Sequence, residues 1–114
     1  MALPKKYRLK GSLVFKNIRK KGRLFQSESF GLGIIFRNDL EVSRFGIVVS
    51  SKISKKAIIR NRIRRIIFEV VRKMIPKMKK GHDVVFLTKP NILTKQKLET
   101  EDEVVSLFKE IGLI

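Results

Sequence analysis

The sequence predicts one α+β domain, ordered helix, three strands, helix, strand, helix. Three observations carry this. Apolar residues between 57 and 75 recur at three- and four-residue spacing, whereas those in 30–36, 45–49 and 83–87 form short runs of strand length. No Gly/Ser linker, internal repeat or low-complexity tract divides the 114 residues. The strand, helix and strand over 45–87 make a β-α-β unit, which places its two strands parallel in a mixed four-stranded sheet.

Each element has a local reason. Residues 1–9 are basic and read as a flexible extended arm, with Pro4 resisting an early helix. Ser12 is a cap and Gly22 a stop for a helix to about Lys21, whose apolar residues are Val14, Phe15 and Ile18. Leu24-Phe25 and then 30–36 read as strands; Gly31 and Gly33 weaken the second and mark a bulge or a close approach by a partner. Asn38-Asp39 is a turn signal, and 45–49 is β-branched and nearly continuous, the pattern of a central strand. Helix 57–75 presents Ile59, Ile63, Ile66, Ile67, Val70, Val71 and Met74 on one face until Pro76 ends it. Phe68 falls opposite that stripe, either packed on another element or exposed. Gly81 turns the chain into strand 83–87, and Pro90 stops that strand. Thr100 and Glu103 have capping-box spacing for a last helix with Val104, Leu107, Phe108 and Ile111 inward.

Charge narrows the function. There are 27 Lys and Arg against 10 Asp and Glu, a net charge of +17. Residues 1–97 hold 26 of the bases and five of the acids; residues 98–114 hold only Lys109 and the other five acids. Such an excess opposes folding and calls for a polyanion, nucleic acid first. The acidic last segment is a surface that such a partner avoids. With no cysteine there are no disulfides or thiolate metal sites, and the lone His82 excludes a histidine-cluster metal site and a two-histidine mechanism. The longest apolar run, Val84–Leu87, is too short to span a membrane. The first residues lack a signal peptide's apolar stretch, and a cytoplasmic protein is the economical expectation.

The chemistry concentrates on the long helix. Arg60-Asn61-Arg62-Ile63-Arg64-Arg65 and Arg72 supply planar guanidinium forks that grip phosphates and stack on bases. Asn61, Arg64, Arg65 and Arg72 point away from the isoleucine stripe, and Arg60 and Arg62 flank it. Lys52, Lys55 and Lys56 precede the positive end of that helix. Phe15, among Lys16, Arg19, Lys20 and Lys21, is either core or a stacking platform for unpaired bases. His82-Asp83 as an acid–base pair, and Glu101-Asp102-Glu103 as a Mg²⁺ site, are weaker readings than a structural turn and a helix start. No P-loop, H-E-x-x-H or G-x-S-x-G is present. The residues alone lead to a small basic RNA- or DNA-binding domain.

The run Lys56-Ala57-Ile58-Ile59-Arg60-Asn61-Arg62-Ile63-Arg64-Arg65 resembles the signature of the bacterial ribonuclease P protein subunit. The resemblance spans residues 7–112 and includes the Leu9, Phe15 and Gly22 spacing, Phe30, Gly46–Ser50 and Asp83–Val85. It implies an α-β-β-β-α-β-α fold with a left-handed β-α-β crossover, against the general right-handed rule. It also implies an accessory subunit of the endonuclease that removes the 5′ leader of precursor tRNA. The partners are then ribonuclease P RNA and the leader-bearing precursor, with no membrane and no obligate protein partner. The catalytic centre and its Mg²⁺ lie mainly with the RNA subunit and substrate, with no catalytic residue and no tight metal site in this chain. By resemblance Arg60, Asn61, Arg62, Arg64, Arg65, Lys56 and Lys52 bind RNA, and Phe15, Arg19, Arg60 and Arg64 line a leader cleft between the sheet face and flanking helices. Two positions depart from the family: Arg19 and Gly33 stand where it has a second aromatic and a cleft tyrosine. The loop before the signature is one residue longer, at Lys55. The alternatives are a ribosomal or ribosome-assembly RNA binder, a stand-alone nuclease using His82, and a major-groove DNA reader.

Overall fold

The computed structural model describes residues 4–9 and 12–114; the side chains of residues 12–15 and of Arg19 lie outside the description. Helix α1 (Ser12–Lys21) is followed by strands β1 (Arg23–Gln26), β2 (Phe30–Phe36) and β3 (Arg44–Val48). Helix α2 (Ala57–Met74), strand β4 (His82–Thr88) and helix α3 (Lys97–Glu110) complete the order. The strands form one mixed sheet, β1-β2-β4-β3. β3 and β4 are parallel and the other two pairings antiparallel.

Period-2 alternation divides the sheet into two unequal faces. Phe30, Leu32, Phe45, Val84 and Phe86 point to one side, where they pack with Ile63, Ile67, Val70 and Val71 of α2 and with Val104, Leu107 and Phe108 of α3. This is the main core, and its Phe30, Phe86 and Phe108 rings meet edge-on or tilted at 5.3 and 5.9 Å between centroids. The other face carries Ile35, Val48, Val85 and Leu87, and Ile18 of α1 packs on it. Phe68 is half-buried against the main core.

Three sequence expectations change. β3 is an edge strand, not a central one: its apolar run reflects burial on both faces, and residues 4–9 shield its outer side. A 3₁₀ turn at Lys5–Tyr7 leads into a bridge between Arg8 and Phe45, where the Leu9 N–H donates to the Phe45 carbonyl at 2.9 Å. Residues 4–9 of the segment read as a flexible arm are thus docked, with Leu9 buried. The last helix starts one turn earlier than Thr100. Gln96 and Glu99 form the capping box, and the Thr100 hydroxyl, buried in the second turn, donates to the Gln96 carbonyl at 3.2 Å.

Two acids tie elements together. Asp83 accepts from Arg37 and from Arg44 Nε and Nη2, the latter two at 3.0 Å, tying β2, β3 and β4 together. Glu103 accepts from the Ser27 hydroxyl at 2.5 Å and the Ser29 N–H at 2.7 Å, so α3 holds the β1–β2 turn. The Arg37 guanidinium holds Asp39 below its ordinary carboxylate range.

Candidate nucleic-acid interface

Helix α2 begins without help from a side chain. Lys56 occupies the cap position, no side-chain oxygen caps the helix and no acid lies in its first turn. The Ile59 and Arg60 N–H groups both donate to the Lys56 carbonyl at 3.1 Å. The positive end of the helix dipole therefore remains uncompensated among exposed Lys52, Lys55 and Lys56.

The arginines beyond it are partly pre-organised. Arg60 Nη1 donates to the Ser54 carbonyl at 2.8 Å, pinning its guanidinium over the β3–α2 loop. Arg64 Nη1 donates to Asn61 Oδ1 at 2.8 Å. Asn61, Arg62 and Arg65 are exposed. Among the described residues, no acid pairs with any base between Lys52 and Arg65; the ion pairs lie at Arg37, Arg44, Lys73, Lys95 and Lys97. The ion pairs Lys73–Glu101 and Lys97–Glu69, each 3.0 Å, join the far half of α2 to acidic α3. The first half of α2 thus carries a run of positive charge that no acid offsets among the described residues.

A cavity of about 270 Å³ opens on the opposite face of the sheet, beside Ile18 of α1. Its walls are Ile18, Leu24, Val48, Val85 and Leu87, with Gly33 on its floor and Arg23 at its rim. Gly33 is there because α1 crosses it closely: a Cβ would stand 2.7 Å from Ile18 Cγ2. The register through β2 is continuous, so there is no bulge, and the close approach at Gly33 is made by α1 of the same chain; the nearest atoms to a Cβ at Gly31 would be those of the Gln26 side chain, at 3.3 Å. Lys20 and Lys21 are exposed on α1.

The expected residues form two groups. Lys52, Lys56, Arg60, Asn61, Arg62, Arg64 and Arg65 gather at the start of α2. None of them lines the cavity, whose wall at Val48 gives way to α2 only after the 49–56 loop. Phe15 and Arg19 are in α1, but their side chains lie outside the described residues. His82 is turned inward: its ring lies 4.9 Å from that of Phe36, and Nδ1 is buried without a hydrogen-bond partner. Burial first, then the charges of Arg37 and Lys79, lowers its pKa against the backbone carbonyls that favour a proton. Glu101, Asp102 and Glu103 diverge around α3, with Glu101 on Lys73 and Glu103 on the β1–β2 turn. The sequence reading expected a cleft on this sheet face but not its aliphatic lining. Gly31 and Gly33, alternating with Ile35 on that strand face, are the signal for it, because small residues there leave room.

Comparison with known proteins agrees with this layout. The profile of the family described as Ribonuclease P matches residues 3–112. The ribonuclease P protein component of Synechocystis sp. is 34% identical over 114 residues, covering 100% of this chain and 92% of that protein. That of Clostridium kluyveri is 34% identical over 109 residues, 94% of this chain and 96% of the relative. The solved ribonuclease P protein of Thermotoga maritima superposes with a TM-score of 0.82 at 27% identity, over 90% of this chain and 96% of its own.

Proposed function

The chain belongs to the ribonuclease P protein family, and on that premise we propose that it binds the catalytic RNA subunit and the single-stranded 5′ leader of precursor tRNA. The observation that carries this reading is the uncompensated arginine cluster at the start of α2, beside a helix end without a cap or an acid. Arg62 and Arg65 present exposed forks to phosphates, while Arg60 and Arg64 are held in place by Ser54 and Asn61. The sheet face on which α1 packs receives the leader. Lys20, Lys21 and Arg23 meet its phosphates, and the aliphatic walls of the cavity meet its bases by apolar contact.

On this reading the protein brings two polyanions together and offsets their repulsion, which lowers the Mg²⁺ needed for cleavage. Among the described residues, no three His, Cys, Asp or Glu side chains converge as a metal site. The reading assigns Mg²⁺ and the cleavage step to the RNA subunit and substrate, as the family resemblance implies.

The test is cleavage of a leader-bearing precursor tRNA at low Mg²⁺ by the protein, by a bacterial ribonuclease P RNA, and by the two mixed. Cleavage at the mature 5′ end in the mixture alone is the expected result. A mixture that behaves like the RNA alone at every salt concentration overturns the reading.

A further inference from the structure

We propose a second RNA-binding surface at the far end of α2, built from Lys77, Lys79 and Lys80 around a pocket beside Tyr7, and we assign it to the RNA subunit. It rests on the function proposed above. The pocket, about 330 Å³, is bounded by Tyr7, Phe45, Ile75, Pro76 and Met78. Lys79 and Lys80 stand at its edge, and Lys77 is exposed in the 3₁₀ turn that ends α2. Among the described residues none of the three lysines pairs with an acid. Tyr7 is half-buried, and Lys6 Nζ lies 5.1 Å from its ring centroid. An aromatic edge in an apolar pocket ringed by lysines is the chemistry that takes an unpaired base and its flanking phosphates.

The backbone of this surface is held rigid. The Lys79 N–H donates to the Leu113 carbonyl at 2.9 Å, and its carbonyl accepts from the Ser43 hydroxyl at 2.7 Å. Acids do approach its edge. Asp39 and Glu41 lie in the neighbouring loop near Lys6, but Asp39 is held by Arg37, which leaves the three lysines in excess.

Position identifies the partner. The pocket belongs to the face of the sheet that α2 packs on, whereas the proposed leader cavity is on the face that α1 packs on. Arg62, Arg65 and Arg72 are exposed within about 80° of one another around α2, a ridge that runs from the first arginine cluster towards Lys77. Glu69 interrupts that ridge but is engaged by Lys97. The 18-residue helix is about 27 Å long, so the two surfaces clamp separated parts of one large folded RNA.

The test uses Lys77→Gln/Lys79→Gln/Lys80→Gln and, separately, Arg62→Gln/Arg65→Gln, with binding to ribonuclease P RNA measured against salt. For three lost phosphate contacts at a slope of about 0.7–0.9 each, the lysine variant should lose roughly 20- to 40-fold less affinity than wild type between 50 and 200 mM salt. Its preference for leader-bearing over leaderless precursor in the holoenzyme should be unchanged. A wild-type salt slope in the lysine variant, with a reduced slope in the arginine variant, overturns the second surface and leaves the proposed function standing. A loss of leader preference in the lysine variant reassigns the surface to the precursor and overturns the partner named here. A wild-type chain that fails to bind the RNA overturns both.

Discussion

Replacing Gly33 by alanine tests the packing that makes the cavity. The added methyl would stand 2.7 Å from Ile18 Cγ2, well inside contact distance. Ile18 is buried and β-branched, so its Cγ2 has no free rotamer to move into. Overpacking of this kind costs about 1–3 kcal/mol. Alanine in a strand recovers about 0.5–1 kcal/mol over glycine, leaving a net loss of roughly 0–2.5 kcal/mol, centred near 1. For a chain of 114 residues this is a fall in Tm of about 0–10 °C. The assay is urea denaturation at fixed salt in three backgrounds. Ile18→Val keeps the offending methyl, so Gly33→Ala should cost as much there as in wild type. Ile18→Ala removes it, and although that change alone costs about 2–5 kcal/mol, adding Gly33→Ala to it should be neutral or stabilising. Equal effects in all three backgrounds, or a stabilised Gly33→Ala single variant, would refute the contact argument. Because the same methyl narrows the cavity, the variant should also show a weaker preference for leader-bearing precursor.

Arg62→Ala and Arg65→Ala should each lower the salt slope of RNA binding by about 0.7–0.9 while shifting stability by less than about 0.5 kcal/mol, measured by titration and urea melts, since neither has an acidic partner among the described residues. Asp83→Asn should cost about 3 kcal/mol by the same melts, because Arg37 and Arg44 lose the carboxylate between them and Arg37 is mostly buried. Glu103→Ala should cost about 1–3 kcal/mol and speed hydrogen exchange at the Ser29 amide, which loses its acceptor. His82 has its pKa lowered in the fold by burial, so the unfolded chain takes up its proton first. Its contribution is whole above about pH 6.5 and is lost as pH falls through the depressed folded value, and His82→Gln should flatten the stability curve there.

Much of this architecture is legible in the sequence. Helix α2 stands out because seven apolar residues repeat on one face, and the arginine cluster because its residues are consecutive. The cap of α3 is harder to place. Gln96–Glu99 and Thr100–Glu103 have the same spacing, and only burial of Thr100 separates them. The edge position of β3 escapes for a different reason: a strand covered by the chain's first residues shows the same apolar run as a central one. Glu103 looks like a helix-start acid until its bond to Ser29, 74 residues away, is seen. The pocket beside Tyr7 has no sequence motif, since Tyr7 and Lys79 meet only through the fold.

The acids of α3 matter beyond the bonds they make. Glu101 meets Lys73 near the end of α2, whereas the free guanidinium groups stand at its start, so the two signs of charge are separated along the helix and make the protein an electric dipole as well as a cation. In the field of a polyanion such a body feels a torque before it feels contact. On the proposed function, an approaching RNA meets the arginine end first, and collisions that present α3 are disfavoured. The range of this alignment is the screening length, about 10 Å at 0.1 M salt, so the fraction of productive encounters is set by ionic strength before any hydrogen bond forms.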